Sequence, residues 1–88
     1  MIVKYEASFE KDLRNIRDRS LLQRIKSAIG EVKEAETTRQ IHNLKKLKGY
    51  ETFYRIKIGD YRIGIEIIEE EIIFTRFLHR REVYRFFP

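Results

Sequence analysis

Apolar and polar residues alternate most regularly between Tyr54 and Ile68. Ile56, Ile58, Tyr61, Ile63, Ile65 and Ile67 share one parity, and Arg55, Lys57, Arg62, Gly64 and Glu66 share the other. A period of two marks a half-buried strand, and Gly59-Asp60 in its middle is a two-residue hairpin turn. Pairing across that turn sets Ile58 opposite Tyr61, Lys57 opposite Arg62 and Ile56 opposite Ile63. The isoleucine parity belongs to a core. The other parity then forms a sheet face on which Lys57 and Arg62 are directly opposed like charges, a destabilising arrangement whose retention suggests that the charges are used.

The flanking segments have other periods. Ile2 to Tyr5 predicts a short first strand. Ser8 is a candidate N-cap for a helix carrying Phe9, Leu13 and Ile16 on one stripe. Asp18 or Ser20 can cap a second helix, in which Leu21, Leu22, Ile25, Ala28, Ile29, Val32 and Ala35 run to about Glu36. Gly30 interrupts that helix, which suggests close packing against the first one, and the short link between them predicts an antiparallel hairpin. Thr37 to Gly49 has no clear period and reads as a basic connection with room for a helical turn. After an acidic Glu69–Glu71 turn, a third hairpin strand runs from Ile72 to about His79. With a three-residue turn, Arg76 and Arg80 join the polar face, and Ile73 and Phe77 join the core; a two-residue turn reverses the strand. Arg81 to Pro88 is aromatic and basic, a last helical turn or a strand-like tail. The expected fold is α+β, in the order β-α-α-β-β-β, with both helices on one face of a mostly antiparallel sheet. Residues 1–88 are expected to form a single domain.

Charge sharpens this picture. The chain of 88 residues carries a formal net charge of +5, spread over both halves. Local clusters matter more: Lys45, Lys46 and Lys48 lie in one acid-free stretch, and Arg76, Arg80, Arg81 and Arg85 in another that holds only Glu82. There is no cysteine, so disulfides and thiol chemistry are excluded. His42 and His79 lack metal-ligand spacing, and no metal or cofactor is expected. No apolar run approaches a membrane span, so a cytoplasmic protein with no membrane partner is expected.

The cationic parity of Arg55, Lys57 and Arg62 suits an anion such as phosphate; a solvated outer sheet face would carry the same pattern. His79-Arg80-Arg81-Glu82-Val83-Tyr84 offers proton transfer and phosphate binding near a strand end, although Tyr84 and Phe86 could equally cover the end of the core. The lysine run is suited to phosphate positioning or to a solvated loop.

Four segments in this order, Leu44-Lys-Lys-Leu-Lys-Gly49, Tyr54-Arg-Ile-Lys57, Gly59-Asp-Tyr-Arg-Ile63 and His79-Arg-Arg-Glu-Val-Tyr84, resemble the RelE/ParE superfamily of toxins from toxin–antitoxin pairs. The resemblance spans nearly the whole chain. Its basic hairpin and its late Arg and Tyr are similar to the RelE branch, ribosome-dependent mRNA endoribonucleases that need no metal. By that resemblance Arg55, Lys57, Arg62, Arg80 and Tyr84 are the catalytic positions. Arg81 competes with Arg80 because the interval to Tyr84 is short, and His79 is a secondary candidate. Lys45, Lys46, Lys48, Arg76 and Arg85 are expected to contact RNA. Arg55 departs from the lysine of the family type.

Such an enzyme would drive the 2′-OH of mRNA in the ribosomal A site against the adjacent phosphate and inhibit translation. Lys57 or a neighbour would act as base, Arg62 and Arg80 would hold the phosphorane, and Arg80 or His79 would protonate the leaving oxygen. The implied partner is a cognate antitoxin whose acidic segment covers the cationic groove. The alternatives are a ParE-like inhibitor of DNA gyrase and a non-catalytic RNA- or protein-binding module.

Overall fold

The hairpin read from the alternation is the centre of the computed structural model, which describes all residues from Met1 to Pro88. Its strands are β3 (Phe53–Ile58) and β4 (Tyr61–Ile68), paired with Lys57 opposite Arg62 and Ile56 opposite Ile63. Gly59 takes φ 55° in the turn, where a residue with a Cβ would be strained. The other elements are β1 (Ile2–Tyr5), α1 (Ala7–Arg14), α2 (Arg19–Glu34), β2 (Leu44–Lys46), β5 (Glu71–His79) and α3 (Val83–Phe86), with a 3₁₀ turn at Thr38–Gln40. They form a five-stranded sheet in the order β1-β5-β4-β3-β2, in which only β1 runs parallel to its neighbour.

The isoleucine parity faces the core as expected. Ile56, Ile58, Ile63 and Ile65 pack with Leu21, Ile25 and Val32 of α2 and with Phe9 of α1. Asp18 caps α2, its carboxylate accepting the Leu21 N–H at 3.1 Å.

Four expectations need correction. The basic connection contains a short edge strand, β2, whose Lys45 lies opposite Arg55. The acidic turn has two residues, Glu69 and Glu70, and Glu69 adopts φ 55°. Ile72 and Phe74 therefore enter the core, and Ile73 joins the open face opposite Glu66. A β-bulge then shifts the register between Gly64 and Ile65, leaving Thr75 as the extra residue, its buried hydroxyl donating to the Gly64 carbonyl at 2.9 Å. One added residue restores Arg76 to the open face and Phe77 to the core.

The third correction concerns α1. Pairing of β1 with β5 ends at Phe74, and α1 takes over the exposed edge beyond it. Ser8 is not an N-cap; its hydroxyl donates to the Thr75 carbonyl at 2.6 Å, and Asp12 accepts the Phe77 N–H at 2.9 Å. Residues four apart on a helix share a face, so the pair substitutes for a missing strand. Because α1 follows β5, it does not press tightly on α2. A Cβ placed on Gly30 would meet nothing within 4 Å, although glycine inside a helix costs about 1 kcal/mol relative to alanine.

The fourth concerns the tail, which is the last helical turn of the two forms expected but does not cover the core with Tyr84 and Phe86, both exposed. Val83 and Phe87 are buried with Leu47 against Phe53 and Leu78, forming a small second core on the sheet face that α2 leaves uncovered. Phe87 lies on Gly64 so closely that a Cβ there would stand 2.8 Å from its ring atoms.

Candidate active site

Register assembles the cationic face. Arg55 lies between Lys45 on one side and Gly64 on the other, and Lys57 faces Arg62 one pair further along. Arg62 is half-buried, and its Nη1 donates to the Gly59 and Tyr61 carbonyls, each at 2.9 Å. Its pKa lies below the ordinary arginine value, first because of burial and next because of the nearby Arg55 charge. Arg80 acts in the same sense, while Tyr84 and Asp60 oppose it. The guanidinium is thus pinned by its own turn among cations that offer it no compensation, a ready position for an anion.

The neighbours are held in turn. Arg55 donates from Nη1 to the Asn43 carbonyl at 3.2 Å, while its Nε is buried without a partner. An unpaired buried donor is a local cost that commonly accompanies a functional site. Arg80 follows β5, its N–H donating to the Asp60 carbonyl at 2.8 Å and its Nε standing 3.8 Å from the Asp60 carboxylate. Burial of Val83 and Phe87 orients α3, and Tyr84 is left 70% exposed on the helix.

The structure brings Arg55, Lys57, Arg62, Arg80 and Tyr84 to one region. His79 is not among them. Register sets it opposite Tyr61, on the side of the sheet that carries the isoleucine core. Its ring meets Tyr61 edge-on at 5.4 Å, and its Nδ1 accepts the Arg81 N–H at 3.2 Å. Arg81 is exposed and, unlike Arg80, exerts no resolved effect on Arg62.

The outer cations divide. Lys45 and Lys48 are exposed, and Lys46 stands 3.6 Å from Glu51. Arg85 lies over the Phe86 ring at 5.2 Å. Arg76 is locked to Asp12 by two bonds of 2.8 and 3.2 Å. That hydrogen bond raises its pKa against the effect of burial.

Three contributors escaped the sequence reading. Asp60 tethers Arg80, a role that its place in the Gly-Asp turn could have suggested. Asn43 supplies the carbonyl that holds Arg55, from a left-handed φ of 61°. Arg24 of α2 lays its guanidinium across the turn, 3.1 Å from where a Gly59 Cβ would stand, and no local pattern signals it.

The sequence profile of the family described as the ParE toxin of the type II toxin–antitoxin system parDE matches residues 3–84. The chain is also 40% identical over 89 residues to Toxin RelE3 of Methanocaldococcus jannaschii, with all of both chains covered. The chain belongs to the RelE/ParE toxin superfamily. This RelE-like toxin superposes on the toxin–antitoxin complex RelB-RelE from Methanococcus jannaschii with a TM-score of 0.81 and 39% identity, covering 97% of this chain and 99% of that one. It matches the Escherichia coli RelBE toxin–antitoxin complex with a TM-score of 0.69 over 89% of this chain and 94% of that one; at 20% identity this likeness concerns the fold. The α+β fold expected from the alternation, with β2 added, is that of RelE toxins.

Proposed function

We propose that this toxin is a ribosome-dependent endoribonuclease that cleaves mRNA in the A site and so stops translation. The observation that carries the proposal is Arg62, fixed by its own turn and surrounded by Arg55, Arg80 and Tyr84. Such a set of preoriented cations stabilises a phosphorane without reorganising during the reaction.

The 2′-oxygen attacks the adjacent phosphorus as Lys57 removes its proton. A 2′-O–P bond forms, the P–O5′ bond breaks, and the products are a 2′,3′-cyclic phosphate and a 5′-hydroxyl. Arg62 and Arg55 hold the phosphoryl oxygens. Arg80 hydrogen-bonds the departing 5′-oxygen, which takes its proton from solvent, because a guanidinium does not readily release one. The exposed Tyr84 orients the 2′-OH. RNA supplies the nucleophile and the arginines supply the charge, so the chemistry needs no metal. The ribosome supplies the substrate geometry that an open sheet face lacks.

Work on ribosomes places the protein in the cytoplasm, and no helix is long and apolar enough to cross a membrane. A cognate antitoxin holds the toxin silent, its acidic segment lying over the cationic face. The relatives named as RelB-RelE complexes support such a partner.

In-vitro translation with primer extension tests the assignment. Wild-type protein is expected to produce breaks within ribosome-occupied codons, and Arg62→Ala to abolish them. Intact mRNA with the wild type, or undiminished cleavage by Arg62→Ala, overturns it. The ParE description of the matching family gives a second reading, gyrase inhibition. Blocked DNA supercoiling with mRNA left intact would favour that reading.

A further inference from the structure

Arg55 stands opposite Lys45 of β2 and close enough to Arg62 to act on its charge, so like charges push its guanidinium outward. Its side chain makes a single hydrogen bond within the chain, from Nη1 to the Asn43 carbonyl at 3.2 Å, and its Nε is buried with no partner. An unusual stretch of backbone aims that carbonyl. Ile41 is buried in the main core. His42 is tied to α2: its N–H donates to Glu31 Oε1 at 2.5 Å, and its Nδ1 lies 2.9 Å from the same oxygen. Asn43 then takes φ 61°, a left-handed conformation that asparagine tolerates better than most residues with a Cβ. β2 starts at the next residue. The Asn43 carbonyl thereby accepts two donors from β3, the Lys57 N–H and Arg55 Nη1, each at 3.2 Å. Both of its lone pairs are in use.

Glu31 calls for an explanation of its own. It lines a notch of about 240 Å³ together with Lys57, Arg24 and His42. A carboxylate beside cations that receive phosphate weakens their attraction for it. Its side chain is bonded to His42 alone.

We propose that Asn43 is a positioning residue for Arg55, and that Glu31 reaches from α2 to hold it in place. The inference rests on the endoribonuclease reading above and adds how one of its phosphate-holding arginines is preoriented. Glu31 fixes the backbone at His42, and the left-handed turn points the next carbonyl at β3. That carbonyl holds the guanidinium against the repulsion of Lys45 and Arg62. Lys57 depends on it less, because the pairing of β3 with β4 already fixes its backbone opposite Arg62. What matters at position 43 is the backbone angle, not the amide side chain.

The test reads conformation and cleavage separately. The buried Arg55 Nε–H is expected to exchange slowly and to give a proton–nitrogen cross-peak that Arg55→Lys lacks. Asn43→Val, strained at a left-handed φ, should erase that cross-peak and lower single-turnover cleavage on programmed ribosomes at least about tenfold, with half-saturation within about threefold of wild type. Asn43→Gly adopts the angle freely and keeps the carbonyl; it should retain the cross-peak and cleave within about twofold of wild type. In an Arg55→Ala background Asn43→Val should cost no further cleavage, whereas a general structural defect would add to the loss. Should Asn43→Val fail to fold, Glu31 carries the same comparison from α2. Glu31→Leu should lower cleavage at least about threefold, and Glu31→Gln less, because its amide oxygen still accepts the His42 N–H. Wild-type cleavage with Asn43→Val or Glu31→Leu folded and within about twofold of it overturns the positioning role and leaves the endoribonuclease reading standing. So does an equal loss in Asn43→Gly and Asn43→Val, which would assign the role to the amide side chain. Wild-type protein that leaves mRNA intact overturns the endoribonuclease reading, and the inference with it.

Discussion

Gly64→Ala is the sharpest probe of how the tail shapes the candidate active site. The new Cβ would stand 2.8 Å from three atoms of the Phe87 ring, well inside carbon–carbon contact distance. The sheet backbone is fixed by β3 and β5 on either side, so the ring must move. Phe87 is 4% exposed, and expelling it forfeits about 1.5–3 kcal/mol of apolar burial. Replacing glycine within a strand returns about 0.5–1 kcal/mol. The net loss is about 1–2 kcal/mol, and each kcal/mol lowers Tm by roughly 4–8 °C in a domain of this size. The main core lies on the other face, so the fold persists. α3 spans only Val83–Phe86 and has no stability of its own, so Tyr84 loses its mooring and cleavage falls with it. Phe87→Ala alone should cost about 3 kcal/mol. In that background the clash is gone, and Gly64→Ala becomes neutral or mildly stabilising. Urea unfolding of the four proteins gives the coupling, expected at about 2 kcal/mol. Additivity within about 0.5 kcal/mol, or wild-type hydrogen-exchange protection of α3 in Gly64→Ala, refutes the close seating of Phe87.

Arg62→Lys keeps the charge but loses the fork that reaches two carbonyls; cleavage should fall at least about tenfold. Its Tm should stay within a few degrees, as measured by calorimetry. Arg80→Ala should lose most cleavage and Arg81→Ala little, because Arg80 and not Arg81 is tethered to Asp60 of the hairpin turn; equal losses in a primer-extension assay would contradict that division. Asp12→Ala strands both Arg76 and the Phe77 N–H at a largely buried site, and urea unfolding should show a loss of about 2–3 kcal/mol. The pKa of Arg76 is raised on folding, so its contribution is complete below the ordinary arginine value and is lost only above it. The Asp12→Ala loss should therefore not vary with the ionisation of Arg76 at neutral pH.

The hairpin was legible because its period and its turn agree: six paired residues, from Phe53 to Ile58, follow the register that Gly59-Asp60 implies. That register alone placed Arg55, Lys57 and Arg62 on one face. β5 was less legible. A two-residue turn shifted it one way and the bulge at Thr75 shifted it back, so Arg76 and Phe77 fell where expected and Ile73 did not. A bulge depends on pairing and leaves no period of its own. β2 is three residues long, too short for any alternation to show. The position of α1 is set by backbone groups that β1 leaves free, and the seat of Phe87 on Gly64 joins residues distant in sequence. Neither contact has a local signal. For the same reason His79 looked like a neighbour of Arg80 in the chain, yet strand pairing turns it to the opposite side.

The position of β1 also governs the order in which the molecule can be completed. β2 to β5 form a meander whose neighbours are close in sequence, so they can pair as soon as they exist. β1 has no such neighbour: Ile2–Tyr5 must wait for Glu71–Phe74 before it has a strand to join. During synthesis the first strand leaves the ribosome early and stays unpaired until almost the whole chain has followed. Arg55, Lys57 and Arg62 share a face once β3 and β4 pair, but Arg80 and Tyr84 join them only afterwards, because they lie beyond β5. The full cluster around Arg62 is therefore assembled only on a chain that has been synthesised through its last helix.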